Sequence, residues 1–111
     1  MIEFSSLGSS FEIEYLGDKI VIDYDFPNAE TYSKCVKIIE GGGVTIDLHK
    51  QARALVKSIS GLKARDKETG ETKIIDTIDK FYSLPLLELQ IIFANGLHDD
   101  IKKKLSVTGE A

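Results

Sequence analysis

The 111-residue sequence predicts a single α+β domain, an N-terminal β-hairpin and small sheet packed against four or so helices, with about half of the chain helical. Residues 11–26, FEIEYLGDKIVIDYDF, alternate apolar and polar side chains on either side of a Gly-Asp turn, as a half-buried hairpin does. Several later segments space their apolar residues by three and four, the period of an amphipathic helix. A composition of 42% hydrophobic and 29% charged residues supports one modest core, and no Pro/Ser/Gly tract is long enough to divide it.

In the hairpin, Phe11, Ile13 and Tyr15 on one strand and Ile20, Ile22 and Tyr24 on the other form an apolar face that needs a cover, since two strands alone are marginal in water. The first helix is expected after Pro27, with Asn28 as N-cap and Ala29, Tyr32, Cys35, Val36 and Ile39 along one stripe, stopped by Gly41-Gly42-Gly43. Val44 to Ile46 reads as a short extended connector. A second helix starts at the cap Asp47 and carries Leu48, Ala52, Leu55, Val56 and Ile59 on its apolar side up to Gly61. Residues 62–75 read as a second hairpin or an extended loop, with Lys67 to Gly70 supplying the turn. Ile75, Ile78, Phe81 and Tyr82 fit a short helix ending near Ser83. Ser83 then caps a helix that admits Pro85 in its first turn and stops at Asn95-Gly96, with Asp99 to Leu105 adding a further turn or two. Residues 1–10 and 106–111 are expected to be flexible ends.

Composition also bounds function. No window holds the run of apolar residues that a membrane helix needs, and one cysteine, Cys35, excludes an internal disulfide. A cytoplasmic protein is expected. The net charge of −4 is uneven, because residues 1–30 hold seven acids against Lys19, a local −6. Such an acidic start, with no basic stripe elsewhere, argues against nucleic acid as a partner.

No residue pattern specifies a reaction. The triple glycine ends a helix and lacks the Lys-Ser/Thr of a phosphate-binding loop, so it reads as a reversal. His98-Asp99-Asp100 are three neighbours in sequence and do not easily converge on one ion, and Asp99 and Asp100 read as caps of the last helical segment. Cys35 lies on an apolar stripe and His49 beside Lys50, with no base or nucleophile paired to either. No catalytic, cofactor or metal residue is assigned, and an enzyme is not expected. The segment LPLLELQIIFANG, residues 84–96, is apolar nearly all round, with more surface than a small domain readily buries. This segment is either the central helix of an ordinary core or, on the side the domain leaves uncovered, a partner surface with Leu84, Leu87, Ile91 and Phe93 as the candidate partner-binding residues; Glu12, Glu14, Asp18, Asp23 and Asp25 form a candidate acidic face.

The order of these elements resembles the tail assembly chaperones of long-tailed bacteriophages. An acidic hairpin and two helices precede VKSISGLKARDKETGETKIID, and a capped apolar helix follows FYSLP. The likeness spans residues 11–100 and is strongest from Val56 to Pro85, where Val56, Ser58 and Gly61 precede the Asp66/Gly70 turn and Leu84-Pro85 leads into the final helix. The sequence has no Trp, where such proteins commonly place an aromatic near Ser60-Gly61. The resemblance implies a non-enzymatic, oligomeric protein of the host cytoplasm that coats the tape measure protein and passes it to tail tube subunits. Lys102-Lys103-Lys104 favour a helix C-terminus and could be encoded by an adenine run of the kind on which ribosomes shift frame in that family. Two other functions fit the same residues: a structural virion subunit at a connector or tail end, and an acidic inhibitor of a host nucleic-acid-binding enzyme acting through the hairpin carboxylates.

Overall fold

The computed structural model describes residues 1–5 and 7–109, with side chains as far as Leu105. It is an α+β fold in which helices take 36% of the chain, less than the expected half.

Strands β1 (Ser9–Tyr15) and β2 (Asp18–Tyr24) form the expected hairpin, with Phe11 opposite Ile22 and Ile13 opposite Ile20. The two-residue turn holds Leu16 at φ 51° and Gly17 at φ 85°. Positive φ at both positions is what a tight hairpin turn needs to match the twist of its strands. Ser9 and Ser10 belong to β1, so the expected flexible end gives way to strand two residues early. The expectation for 106–111 falls partly outside the described residues, and the backbone is helical to Gly109.

Helix α1 (Ala29–Ser33) starts as expected, with the Asn28 side chain accepting the Thr31 amide at 2.8 Å, but it is only five residues long. Val36–Ile38 is strand β3, not the end of that helix, and pairs with β4 (Val44–Ile46) around the three glycines. β-Branched Val36, Ile38 and Ile39 favour the extended backbone. Gly41, Gly42 and Gly43, all near φ +90° to +101°, form the loop between two strands and not a helix cap.

Helix α2 (Leu48–Leu55) is capped by Asp47, whose carboxylate accepts the Lys50 amide. It stops earlier than its apolar stripe suggests. Val56–Ser60 is strand β5, antiparallel to β2 in a sheet ordered β1-β2-β5, with Ile59 opposite Ile22. The open edge of β2 offers these residues a ladder, and Asp25 N–H already donates to Leu55 O at the junction. Strands β6 (Lys63–Arg65) and β7 (Thr72–Ile74) form the expected second hairpin. The chain then runs along β5, where Ile59 N–H donates to Asp76 O and Ile75 N–H to Leu62 O.

Helix α3 (Ile78–Tyr82) is capped by Thr77 and ends at Ser83, whose hydroxyl donates to Lys80 O. Ser83 thus closes one helix and does not open the next. Helix α4 (Leu87–Gly109) is a single 23-residue helix that passes through Asn95-Gly96. The stop signal is overridden by packing. A Cβ on Gly96 would lie 3.1 Å from the Phe11 ring and 3.4 Å from Ile13, so glycine lets the helix press onto β1. A mid-helix glycine costs about 1 kcal/mol relative to alanine, and the contact brings Phe93, Leu97 and Ile101 into the core, each 1% exposed or less.

The core lies between the inner face of the sheet and α4, with α2 and α3 closing its sides. Ile20, Ile22 and Tyr24 of β2 meet a ring cluster in which Phe93 touches Phe81 at 4.7 Å between centroids and Phe11 at 6.4 Å. Edge-on and tilted ring pairs add roughly 0.5–1.5 kcal/mol each beyond burial.

Gly61 at φ +83° has no room for a side chain, since a Cβ would stand 2.4 Å from Lys19 O. Gly61→Ala should therefore destabilise the fold by about 2 kcal/mol or more in urea unfolding. Gly42→Ala, at a similar φ but with nothing within 4 Å, should cost only about 1 kcal/mol.

Candidate interaction surface

The reactive side chains lie apart. Among the described residues no group of three or more His, Cys, Asp or Glu is placed to hold a metal ion. His98, Asp99 and Asp100 diverge around α4: His98 faces Gln51 of α2 at 3.2 Å, Asp99 faces solvent, and Asp100 accepts the Tyr24 hydroxyl at 2.6 Å. Asp100 is therefore a tertiary hydrogen-bond partner, not a helix cap. Cys35 is fully buried just past α1, its thiol donating to Thr31 O, and burial pushes its pKa up, away from the reactive thiolate. His49 Nδ1 and Tyr82 Oη are 2.9 Å apart on the surface of α2 and α3.

The network at Tyr24 had no sequence signal, because its members are 76 and 80 residues apart. Lys104 pairs with Asp100 at 2.8 Å, donates to the Tyr24 oxygen at 3.2 Å and stands over the ring at 5.0 Å. Tyr24 has no exposed surface. Burial first, then the Asp100 carboxylate, raises the Tyr24 pKa well above the usual phenol value. Tyr82 is also raised, to about 12, chiefly by burial.

The acidic residues lie on the open face of the sheet or at its ends. Glu12 and Glu14 on β1 and Asp23 on β2 alternate with the inward side chains, Asp18 sits at the turn, and Asp25 follows β2. Part of this charge is answered locally. Lys19 lies 3.8 Å from Glu12, Lys57 lies 3.7 Å from Asp25, and Ser58 Oγ donates to Asp23 at 3.2 Å.

The apolar segment 84–96 divides between core and surface. Phe93, expected on a partner face, is fully buried and belongs to the ring cluster. Leu84 is half-buried against the core. Leu87 and Ile91 are 66% and 44% exposed, one helical turn apart, and Ile92 is exposed beside them. Gln90 turns inward, its amide donating to Phe81 O and Leu84 O and so satisfying the carbonyls where α3 ends. Beside this turn, a groove of about 360 Å³ separates Leu84, Pro85 and Leu86 from the β6–β7 hairpin.

No helix among the described residues is long and apolar enough to cross a membrane. Comparison with family models, curated proteins and solved structures gives no match.

The Tyr24 geometry sets an alkaline limit on stability. A tyrosine whose folded pKa lies above its unfolded value of ~10 contributes fully below pH ~10 and loses that contribution as pH rises toward the folded value. The urea midpoint of the wild type should fall from pH 9 to 11, and Tyr24→Phe should flatten that fall. At pH 7 the same substitution should cost about 1–2 kcal/mol through the lost hydrogen bond to a charged acceptor.

Proposed function

We propose that this chain is a non-enzymatic binding protein that holds an apolar, helical client during assembly, acting in the host cytoplasm as a phage tail assembly chaperone, the class its element order resembles. The client on this reading is the tape measure protein, and the tail tube subunit is the recipient. The observation that carries it is the pair Leu87 and Ile91, left exposed on a helix whose opposite side is core, beside the Leu84-Pro85-Leu86 groove. Large apolar side chains at four-residue spacing on a rigid helix suit an amphipathic partner helix. The acidic sheet face would keep such a complex soluble.

An acidic inhibitor needs an uncompensated run of carboxylates. Lys19 and Lys57 beside Glu12 and Asp25 weaken that reading. A structural virion subunit differs from a chaperone in fate, since it would be retained in purified particles.

The test is co-expression with the tape measure protein. Leu87→Asp with Ile91→Asp should abolish co-purification of the client and leave the circular dichroism spectrum and urea midpoint nearly unchanged. Unfolding by this pair would assign these side chains to the core and defeat the reading. Phe93→Ala is the contrasting control and should cost roughly 3–5 kcal/mol of stability.

A further inference from the structure

Strand β1 is the outer strand of its sheet and pairs with β2 alone among the described residues. Just past β2, Asp25 N–H donates to Leu55 O, so odd-numbered residues of this strand turn their backbone groups to β5 and even-numbered ones to β1. The two-residue turn agrees, since it makes Tyr15 and Asp18 a hydrogen-bonded pair. In β1 the backbone groups of Phe11 and Ile13 are therefore taken by β2, and those of Ser10, Glu12 and Glu14 point outward from the edge.

Native sheets guard such an edge with a bulge, a proline, a lysine or an inward-pointing charge. β1 runs seven residues in unbroken register, and its sequence SSFEIEY supplies none of these. Ahead of it, residues 1–5 form no strand and Ile2 and Phe4 are exposed, so that segment does not cover the edge.

The two faces beside the edge differ. On the inner face Phe11 and Ile13 are only half-buried, and α4 passes over them at Gly96. Ile92, one turn earlier on the same flank of that helix, is 37% exposed. On the outer face Glu12 and Glu14 stand beside Lys19, whose ammonium is 3.8 Å from Glu12, and Asp23 adds a third carboxylate.

We propose that β1 accepts an extended segment of another protein as a fourth strand, one that alternates aliphatic residues with lysine or arginine. The outward backbone groups of Ser10, Glu12 and Glu14 form the main-chain ladder. Aliphatic side chains of the segment continue the inner face beside Phe11, Ile13 and Ile92. Its cations stand opposite Glu12 and Glu14, the cross-strand arrangement that opposite charges favour. The same carboxylates turn away a second copy. Pairing β1 with itself along its whole length sets Glu12 opposite Glu12, and like charges directly opposed are destabilising. A strand of seven residues buries far less than the ~1,000 Å² of a stable interface, so the contact is weak and exchangeable. It shares no residue with Leu87, Ile91 or the groove beside them, and it stands whether or not the client reading does.

The probe is a capped Lys-Val-Lys-Val-Lys-Val-Lys peptide titrated into the full chain, read by amide chemical shift and hydrogen exchange. Binding should slow exchange at Ser10, Glu12 and Glu14 and leave Phe11 and Ile13, already bonded to β2, little changed. A ladder on this edge gives that alternation, and packing on either face does not. Glu12→Lys with Glu14→Lys should weaken the peptide about tenfold and favour its Glu-Val counterpart. Glu12→Pro deletes an amide that the sheet does not use and should abolish binding, and the same peptide with N-methylated backbone amides makes that test on the unchanged protein. Any of three results overturns the proposal. The first is no response of these amides to about 1 mM peptide. The second is equal binding of the Glu-Val or the N-methylated peptide by the wild type. The third is protection of all three amides in the free protein, which would mean that its own chain or a second copy already holds the edge.

Discussion

The close approach of α4 to the N-terminal hairpin is the constraint on which the rest of this structure depends. Gly96 eases it, since a Cβ there would stand 3.1 Å from the Phe11 ring, tighter than an ordinary contact. With the helix this near, Phe93 reaches both Phe11 and Phe81, and one ring joins sheet, α3 and α4. The hairpin by itself would be marginal. Covered by α4 and extended by β5, it becomes a three-stranded sheet with one buried face. A residue that normally interrupts a helix thus serves the contact that stabilises it.

At the other end of the same helix the join is polar. Tyr24, Asp100 and Lys104 form a hydrogen-bonded set that fixes the register of α4 along β2, as a steric fit alone would not. The remaining ion pairs are solvent-exposed and link neighbouring surface residues. Pairs of that kind contribute little to stability, so the fold rests on the ring cluster and the aliphatic core around it. The uneven charge of the chain then matters for association and solubility more than for folding.

The same packing decides which surfaces are left for partners. Pressing one side of α4 into the core leaves Leu87, Ile91 and Ile92 facing water, and the α3–α4 connection opens a groove against the β6–β7 hairpin. The sheet keeps its outer face uncovered and polar. A small domain of this shape offers separate faces: an apolar helix edge, a groove whose rim carries both charges, and a carboxylate-bearing sheet.

The elements governed by local chemistry were legible in the sequence. Alternation set the first hairpin, Asn28 and Asp47 set two helix starts, and the Lys67 to Gly70 stretch set the turn of the second hairpin. The exposed part of the candidate surface, Leu87 and Ile91, was also legible as an excess of apolar residues around one helix. What the sequence could not separate was Phe93 from its neighbours, because a helix apolar on most sides does not say which side the sheet will take. Tertiary structure decided the rest. Val36–Ile38 and Val56–Ser60 have helix-compatible spacing but β-branched residues, and they became strands because strand partners were within reach. Asn95-Gly96 carries a local stop signal, and burial of Phe93, Leu97 and Ile101 outweighed the roughly 1 kcal/mol that a helical glycine costs. The Tyr24–Asp100–Lys104 set left no trace in spacing, since contacts across 76 and 80 residues exist only once the helix lies on the sheet. Local chemistry determined where elements begin and turn; long-range packing determined which of two permitted backbones each ambiguous segment took.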